Sequence, residues 1–224
     1  MEEDSNCLRI VWKYSPSLTK IKYLKEYAIG STALEVGCGM GWYSKFLKEN
    51  GFKVTAIDLD LLAKFEGIEY IETDFISLDL GERSFDTVVM FDVLEHIDDE
   101  EVALKKVNRL CKKRLIMSFP NSDDVFLTKY NLTYSHYKDK THFREYTLSS
   151  IEDTLGDLGF RLIQAKLEGP AMPQVVAEFL NPRIGFLKIP FRKAITLLEK
   201  CKIITPGLTG ADIFLVADKE VKHK

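Results

Sequence analysis

The chain has 224 residues, 46% of them apolar, and its 31 Lys plus Arg against 34 Asp plus Glu give a net charge of −3. That length suits one large domain with a sizeable core. The near-balanced charge argues against bulk attraction to nucleic acid, which needs a basic footprint, though not against a local basic patch. Ordinary counts of 13 Gly and 7 Pro exclude collagen-like and disordered classes.

The first ten residues, MEEDSNCLRI, are acidic and carry neither the basic nor the apolar region of a signal peptide. No apolar run approaches the ~18 residues of a membrane span. Cys7, Cys38, Cys111 and Cys201 are scattered without a CxxC pair. The expectation is a cytoplasmic protein with free thiols and no metal site.

From the N-terminus, residues 17–28 place apolar side chains at 18, 21, 24 and 28, which predicts a helix, with Ser15 or Ser17 as cap and Gly30 as stop. Strands are predicted at 32–36, 53–57, 68–71, 84–91 and 113–119, and helices at 42–49, 60–66 and 100–110. The near-continuous apolar run at 84–91 is the mark of a strand buried on both faces. This alternation predicts an α/β fold, a Rossmann-like doubly wound, mostly parallel sheet with helices on both faces. A helix at 148–158 and strands at 160–167 and 212–217 complete seven strands. The single domain divides into an N-terminal helical cover (1–31), a core (32–120), an irregular loop rich in Tyr, His and charge (121–147), and a C-terminal half (148–224). An insertion at 169–210 holds five of the seven prolines, so no long helix fits it.

The most informative stretch is Leu34 to Gly41, LEVGCGMG, where Gly37, Gly39 and Gly41 follow a strand and open a helix. Glycine there permits positive φ and lets the backbone approach a ligand. A tight strand-to-helix turn alone could also use such glycines. A dinucleotide fingerprint starting at Gly37 needs glycine at 42, which is Trp42, and the Gly-Lys-Ser/Thr of a phosphate loop is absent. The pattern E-x-G-x-G-x-G, Asp58 at the end of the second strand, Asp74 after the third and FDVLEHI (91–97) after the fourth resemble class I S-adenosylmethionine-dependent methyltransferases. The resemblance spans roughly 32–121 and lies nearest the type 11/23, ubiquinone-biosynthesis-like small-molecule methyltransferases.

The resemblance implies that Glu35, Gly37, Cys38, Gly39, Gly41, Asp58, Leu59, Asp74, Phe75 and Phe91 bind S-adenosylmethionine and its product S-adenosylhomocysteine. Asp58 would accept from the ribose diol, the residue matching Asp74 contacts the adenine amino group, and that matching Phe91 lies beside the cofactor. DNA amino-methylating enzymes carry N/D-P-P-Y/F/W where this chain has Phe91-Asp92-Val93-Leu94, and cytosine-C5 enzymes need a Pro-Cys pair that is absent. No carboxylate set for a metal-dependent catechol mechanism is identified.

The implied acceptor is a small or lipid-like molecule methylated on oxygen or nitrogen. The alternatives are a protein or saccharide acceptor, or a cofactor-binding module without turnover. His142, in THFREYT, is the candidate general base, with bracing of the loop or capping of the next helix as the other role. His96 suits a structural role better. Residues 121–147 and those before Thr19 are expected to cover the acceptor pocket. Residues 181–202 hold six basic side chains against Glu199 alone, interleaved with Ile, Leu and Phe. This pattern fits either packing on the last strands or peripheral membrane contact.

Overall fold

Seven buried residues in a row, Phe85–Phe91, form the central strand β4. Its side chains alternate between two cores, Val88 and Met90 on one face and Val89 and Phe91 on the other. The computed structural model describes residues 16–123, 135–170 and 210–220, together with 189, 190, 193, 194, 197, 198, 201 and 203. In chain order the elements are α1 (Leu18–Tyr27), β1 (Thr32–Val36), α2 (Trp42–Glu49), β2 (Lys53–Asp58), β3 (Glu69–Glu72), β4, α3 (Glu100–Leu110), β5 (Cys111–Pro120), α4 (Leu148–Asp157), β6 (Phe160–Pro170) and β7 (Gly210–Lys219).

The sheet runs β3-β2-β1-β4-β5-β7-β6. β7 lies antiparallel to both β5 and β6, and the pairings among the first five strands are parallel. One face is covered by α3 and α4 through Ala103, Leu104, Val107, Leu110, Ile151 and Leu155. The other is covered by α1 and α2 through Tyr23, Leu24 and Leu47. The same period of two divides β5 and β7: Leu115, Met117, Leu215 and Ala217 face α3 and α4, and Ile116, Phe214 and Val216 face α1. Burial of these apolar faces is the dominant favourable term in holding the layers together.

Helix starts follow local chemistry. Ser17 Oγ accepts from the Lys20 N–H, Asp99 caps α3 through the Val102 N–H, and Thr147 and Ser150 form a reciprocal capping box on α4. One expected element is missing. Residues 60–66 form no helix: the Asp58 carboxylate accepts from the Asp60 N–H at 3.1 Å and Tyr70 Oη from the Phe65 N–H at 3.1 Å. Both bonds commit backbone donors to side chains, and Leu62 stays exposed, so no apolar face rewards a helix there.

β6 and β7 extend beyond the predicted bounds, and Pro170 pairs with Gly210, so the insertion leaves from adjacent strand ends. Of the loop at 121–147, residues 124–134 lie outside the described residues. Its ends meet, Asn121 bridging to Tyr146 and the Ser122 N–H donating to the Tyr146 carbonyl at 2.8 Å. The expected N-terminal cover before residue 16 and most of 171–209 also lie outside the described residues. Among the described residues, no helix is long and apolar enough to cross a membrane.

Candidate functional site

Parallel strands on either side of β1 leave in different directions, and the carboxyl end of β1 is where an open α/β sheet offers a crevice. The loop there begins with the Gly37 and Cys38 N–H groups donating to the Ile57 carbonyl at 2.8 and 3.1 Å, which ties it to β2. Gly37, Gly39 and Gly41 all have positive φ, at 73°, 47° and 69°. Two of the three are explained by packing. A Cβ on Gly37 would overlap Val93 Cγ2, and one on Gly41 would lie 2.7 Å from Tyr70 Oη. Gly39 is different, because a Cβ there would meet nothing within 4 Å. Its bare Cα faces open space, so here the backbone is open to the approach of another molecule.

Asp58 lies beside that open backbone. Its Oδ2 accepts from the Gly39 N–H at 2.6 Å and its Oδ1 from the Asp60 N–H. Each oxygen keeps acceptor capacity for a ligand hydroxyl. Leu59 beside it is 72% exposed, an apolar side chain bare at the mouth of the crevice. Glu35 is turned beneath the loop, buried, and accepts from Ser44 Oγ, so it joins β1 to α2. Burial pushes its carboxyl up to about 8, against the Ser44 hydrogen bond. Cys38 is buried as well, and desolvation raises its thiol to about 12. The thiol is thus a neutral packing group.

At the end of β3, Asp74 accepts from the Ile76 N–H at 3.1 Å and from the Ser77 N–H and hydroxyl at 3.1 and 2.7 Å. The Ser77 hydroxyl chiefly holds its carboxyl below the usual range. Phe75 sends its ring into the core below α3. Its carbonyl accepts from the buried Lys106 Nζ at 2.5 Å.

Phe91, at the end of β4, packs edge-on against Tyr43 at 5.3 Å, with Lys20 Nζ 5.4 Å from its ring centre. Lys20, which the sequence did not single out, forms an ion pair with Asp92. Asp92 has φ 56°, the only positive φ outside glycine among the described residues. Ser118 Oγ donates to its other oxygen at 2.7 Å. Asp212 on β7 completes this acidic corner: burial, then the Asp92 charge, raises its carboxyl to about 6. Nothing local in the sequence marks Lys20 as the partner of Asp92, because the pair joins residues 72 positions apart.

His142 stands elsewhere. The Phe143 N–H donates to the Glu95 carbonyl at 2.8 Å, and Arg144 Nη1 donates to the Ile97 carbonyl at 2.7 Å. Residues 141–144 are thereby fastened along the turn that follows β4. His142 meets the ring of His96 at 4.7 Å between centres, and its Nε2 lies 3.7 Å from Asp139 Oδ2. A cavity of about 420 Å³ is lined by His136, Tyr137, His142 and Arg144 among others. A larger one, about 610 Å³, lies among Lys112, Lys113, Arg161 and Lys219, away from every glycine-loop residue. Chemistry favours the loop end over the larger hollow, because strand carboxyl ends and the open Gly39 backbone coincide there.

Residues 18–165 match the model of a family described as methyltransferase domain. Phosphoethanolamine N-methyltransferase 2 of Caenorhabditis elegans is 25% identical over 186 residues, 74% of this chain and 40% of that protein. A ubiquinone biosynthesis O-methyltransferase of Xanthomonas oryzae is 32% identical over 94 residues, 37% of this chain and 39% of that protein. The chain thus spans about 40% of the length of each. The crystal structure of a SAM-dependent methyltransferase from Archaeoglobus fulgidus superimposes with a TM-score of 0.62 at 18% identity, covering 95% of this chain and 99% of that one. The last likeness shows the fold.

Proposed function

The chain belongs to the methyltransferase-domain family, and we propose that it transfers the methyl group of S-adenosylmethionine to an oxygen or nitrogen of a small-molecule acceptor. The observation that carries this reading is the Gly39 cradle: a positive-φ glycine whose missing side chain faces open space, with its N–H on Asp58. Bound there, the sulfonium supplies an already activated methyl group. The residues of the chain then have to hold both partners in line and keep water out. Asp58 accepts from the ribose diol, Leu59 lies against the base, and Asp74 accepts from the adenine amino group. Phe91 and Tyr43 wall the donor end. His142, 13% exposed and beside Asp139, accepts a proton from the acceptor. The names of the similar enzymes, a phosphoethanolamine N-methyltransferase and a ubiquinone O-methyltransferase, support an acceptor nitrogen or oxygen on a small molecule.

Calorimetry with S-adenosylhomocysteine tests the donor site. Asp58→Ala should weaken binding by about 1–3 kcal/mol, the cost of leaving polar groups unpaired. Transfer from labelled donor to a panel of amine and hydroxyl acceptors tests turnover. Donor binding with no transfer to any acceptor would leave the non-catalytic alternative standing.

A lipid-like acceptor is favoured by one observation. In the basic segment 181–202 the described Ile189 and Leu197 are 67% and 61% exposed. Exposed apolar side chains in a segment whose sequence is rich in cations suit an anionic membrane surface. Co-sedimentation with anionic vesicles at low salt, reversed by high salt, is the expected result, and its absence would remove this reading.

A further inference from the structure

Glu95 has no use in the site described above. It sits in the short turn Leu94–His96 and is 1% exposed. Among the described residues, neither of its carboxylate oxygens has a hydrogen-bond partner. A buried carboxylate without a partner is costly, so the fold must hold something for it. Two imidazoles stand beside it, and the charges of Asp92, Lys20 and Asp212 also reach it. One ligand atom each from Glu95, His96 and His142 lies within 4.8 Å of the other two.

We propose that Glu95, His96 and His142 bind one divalent transition-metal ion of the zinc class. The donor set is two imidazoles and one carboxylate, which with a fourth open position is that of reactive zinc sites and excludes ions preferring all-oxygen shells. The surroundings match what such ligands need. His96 Nδ1 lies 3.2 Å from the Thr141 carbonyl and 3.0 Å from its hydroxyl. In the tautomer that donates Nδ1–H to that carbonyl, Nε2 carries the lone pair, the outer-shell arrangement common to metal-bound histidines. Asp139 Oδ2 lies 3.7 Å from His142 Nε2, a carboxylate near the ring though outside hydrogen-bond distance. The backbone bond from Phe143 to Glu95 fixes the loop side of the site against the strand side. His142 also lines the cavity of about 420 Å³, which gives an ion a path in and an open coordination position a place to face.

The sequence alone points to no metal site, because two of the ligands are adjacent and the third is 46 residues away in the chain. The link to methyl transfer rests on the function proposed above. The base role given to His142 above belongs to the metal-free chain, because an ion on His142 would use the lone pair that a general base needs. It would instead lower the pKa of an acceptor hydroxyl bound at its open position, the proton leaving to water in the cavity.

The test uses the full chain stripped with a chelator. Co2+ titration should give the intense visible bands of a four- or five-coordinate ion, and Zn2+ calorimetry should give one ion per chain. His96→Ala, an exposed substitution, and Glu95→Gln should each weaken Zn2+ binding by more than about tenfold. Cys201→Ser should leave binding unchanged, which excludes the exposed thiol. S-adenosylhomocysteine binding, read separately, reports that each variant is folded and tests the donor site independently. If Glu95→Gln does not fold, His96→Ala still decides. No Co2+ band in the wild type, or Zn2+ binding unaltered in His96→Ala, overturns the proposal.

Discussion

Gly37 and Gly39 are two residues apart and share a left-handed backbone, yet alanine should damage them in different ways. At both, a side chain at positive φ costs about 1–2 kcal/mol of backbone strain. At Gly39 that is the whole cost, because the added Cβ meets nothing within 4 Å. At Gly37 the Cβ would overlap Val93 Cγ2 and approach Val93 Cβ and Cγ1 at 3.3 Å each. Overpacking of that kind adds about 1–3 kcal/mol. Gly37→Ala should therefore lose about 2–5 kcal/mol and Gly39→Ala about 1–2. For a chain of this length each kcal/mol moves Tm by about 2–4 °C.

Ligand affinity should follow the opposite order. Gly39→Ala places a methyl group in the cradle and should weaken S-adenosylhomocysteine binding by more than tenfold, while Gly37→Ala at a temperature where it stays folded should weaken it less. Thermal melts give the first ranking and calorimetry the second. The double variant Gly37→Ala, Val93→Ala should recover part of the stability lost by Gly37→Ala alone, measured against Val93→Ala. Unchanged affinity in Gly39→Ala would show that the open space is not where the donor sits. No recovery in the double variant would refute the overlap with Val93.

Glu35 should make the protein less stable as pH rises. Its folded-state carboxyl lies at about 8, against an ordinary value of 4.5. The protonated form is thus favoured by folding, and that stability is present below about 4.5 and lost as pH rises to 8. Glu35→Gln keeps an acceptor for Ser44 without the charge, so relative to wild type it should gain on the order of 3–5 kcal/mol between pH 4.5 and 8.5. Urea midpoints across that range measure it, and parallel curves for the two proteins would refute it. Asp86 works in the other direction. The Ser31 N–H at 2.8 Å and the Lys113 ammonium at 3.0 Å hold its carboxyl well below the ordinary range. Its stabilisation is complete above about pH 4 and is lost as pH falls. Asp86→Asn should cost about 1–3 kcal/mol at pH 7 and progressively less toward pH 2, a convergence that acid-range unfolding curves would reveal or deny.

The elements of this protein were legible wherever the signal is short-range. Residues 32–36, 42–49 and 100–110 carry their own periodicity and stops, and the structure places β1, α2 and α3 at those residues. The glycine turn and Asp58 were legible too, because strand, glycines and acid all lie between residues 32 and 58. Segment 60–66 has the composition of a helix and is not one. Its Asp60 and Phe65 N–H groups are taken by Asp58 and Tyr70, and Tyr70 is held where it is by the pairing of β3 with β2. The insertion of β7 between β5 and β6, antiparallel to both, is likewise a property of the assembled sheet. The ion pair of Lys20 with Asp92, the left-handed backbone at Asp92 and the meeting of Glu95 with His142 arise from contacts between distant residues. Period and turn chemistry are written in neighbouring side chains, and which buried charge meets which distant partner is decided by the tertiary fold that removes water from both.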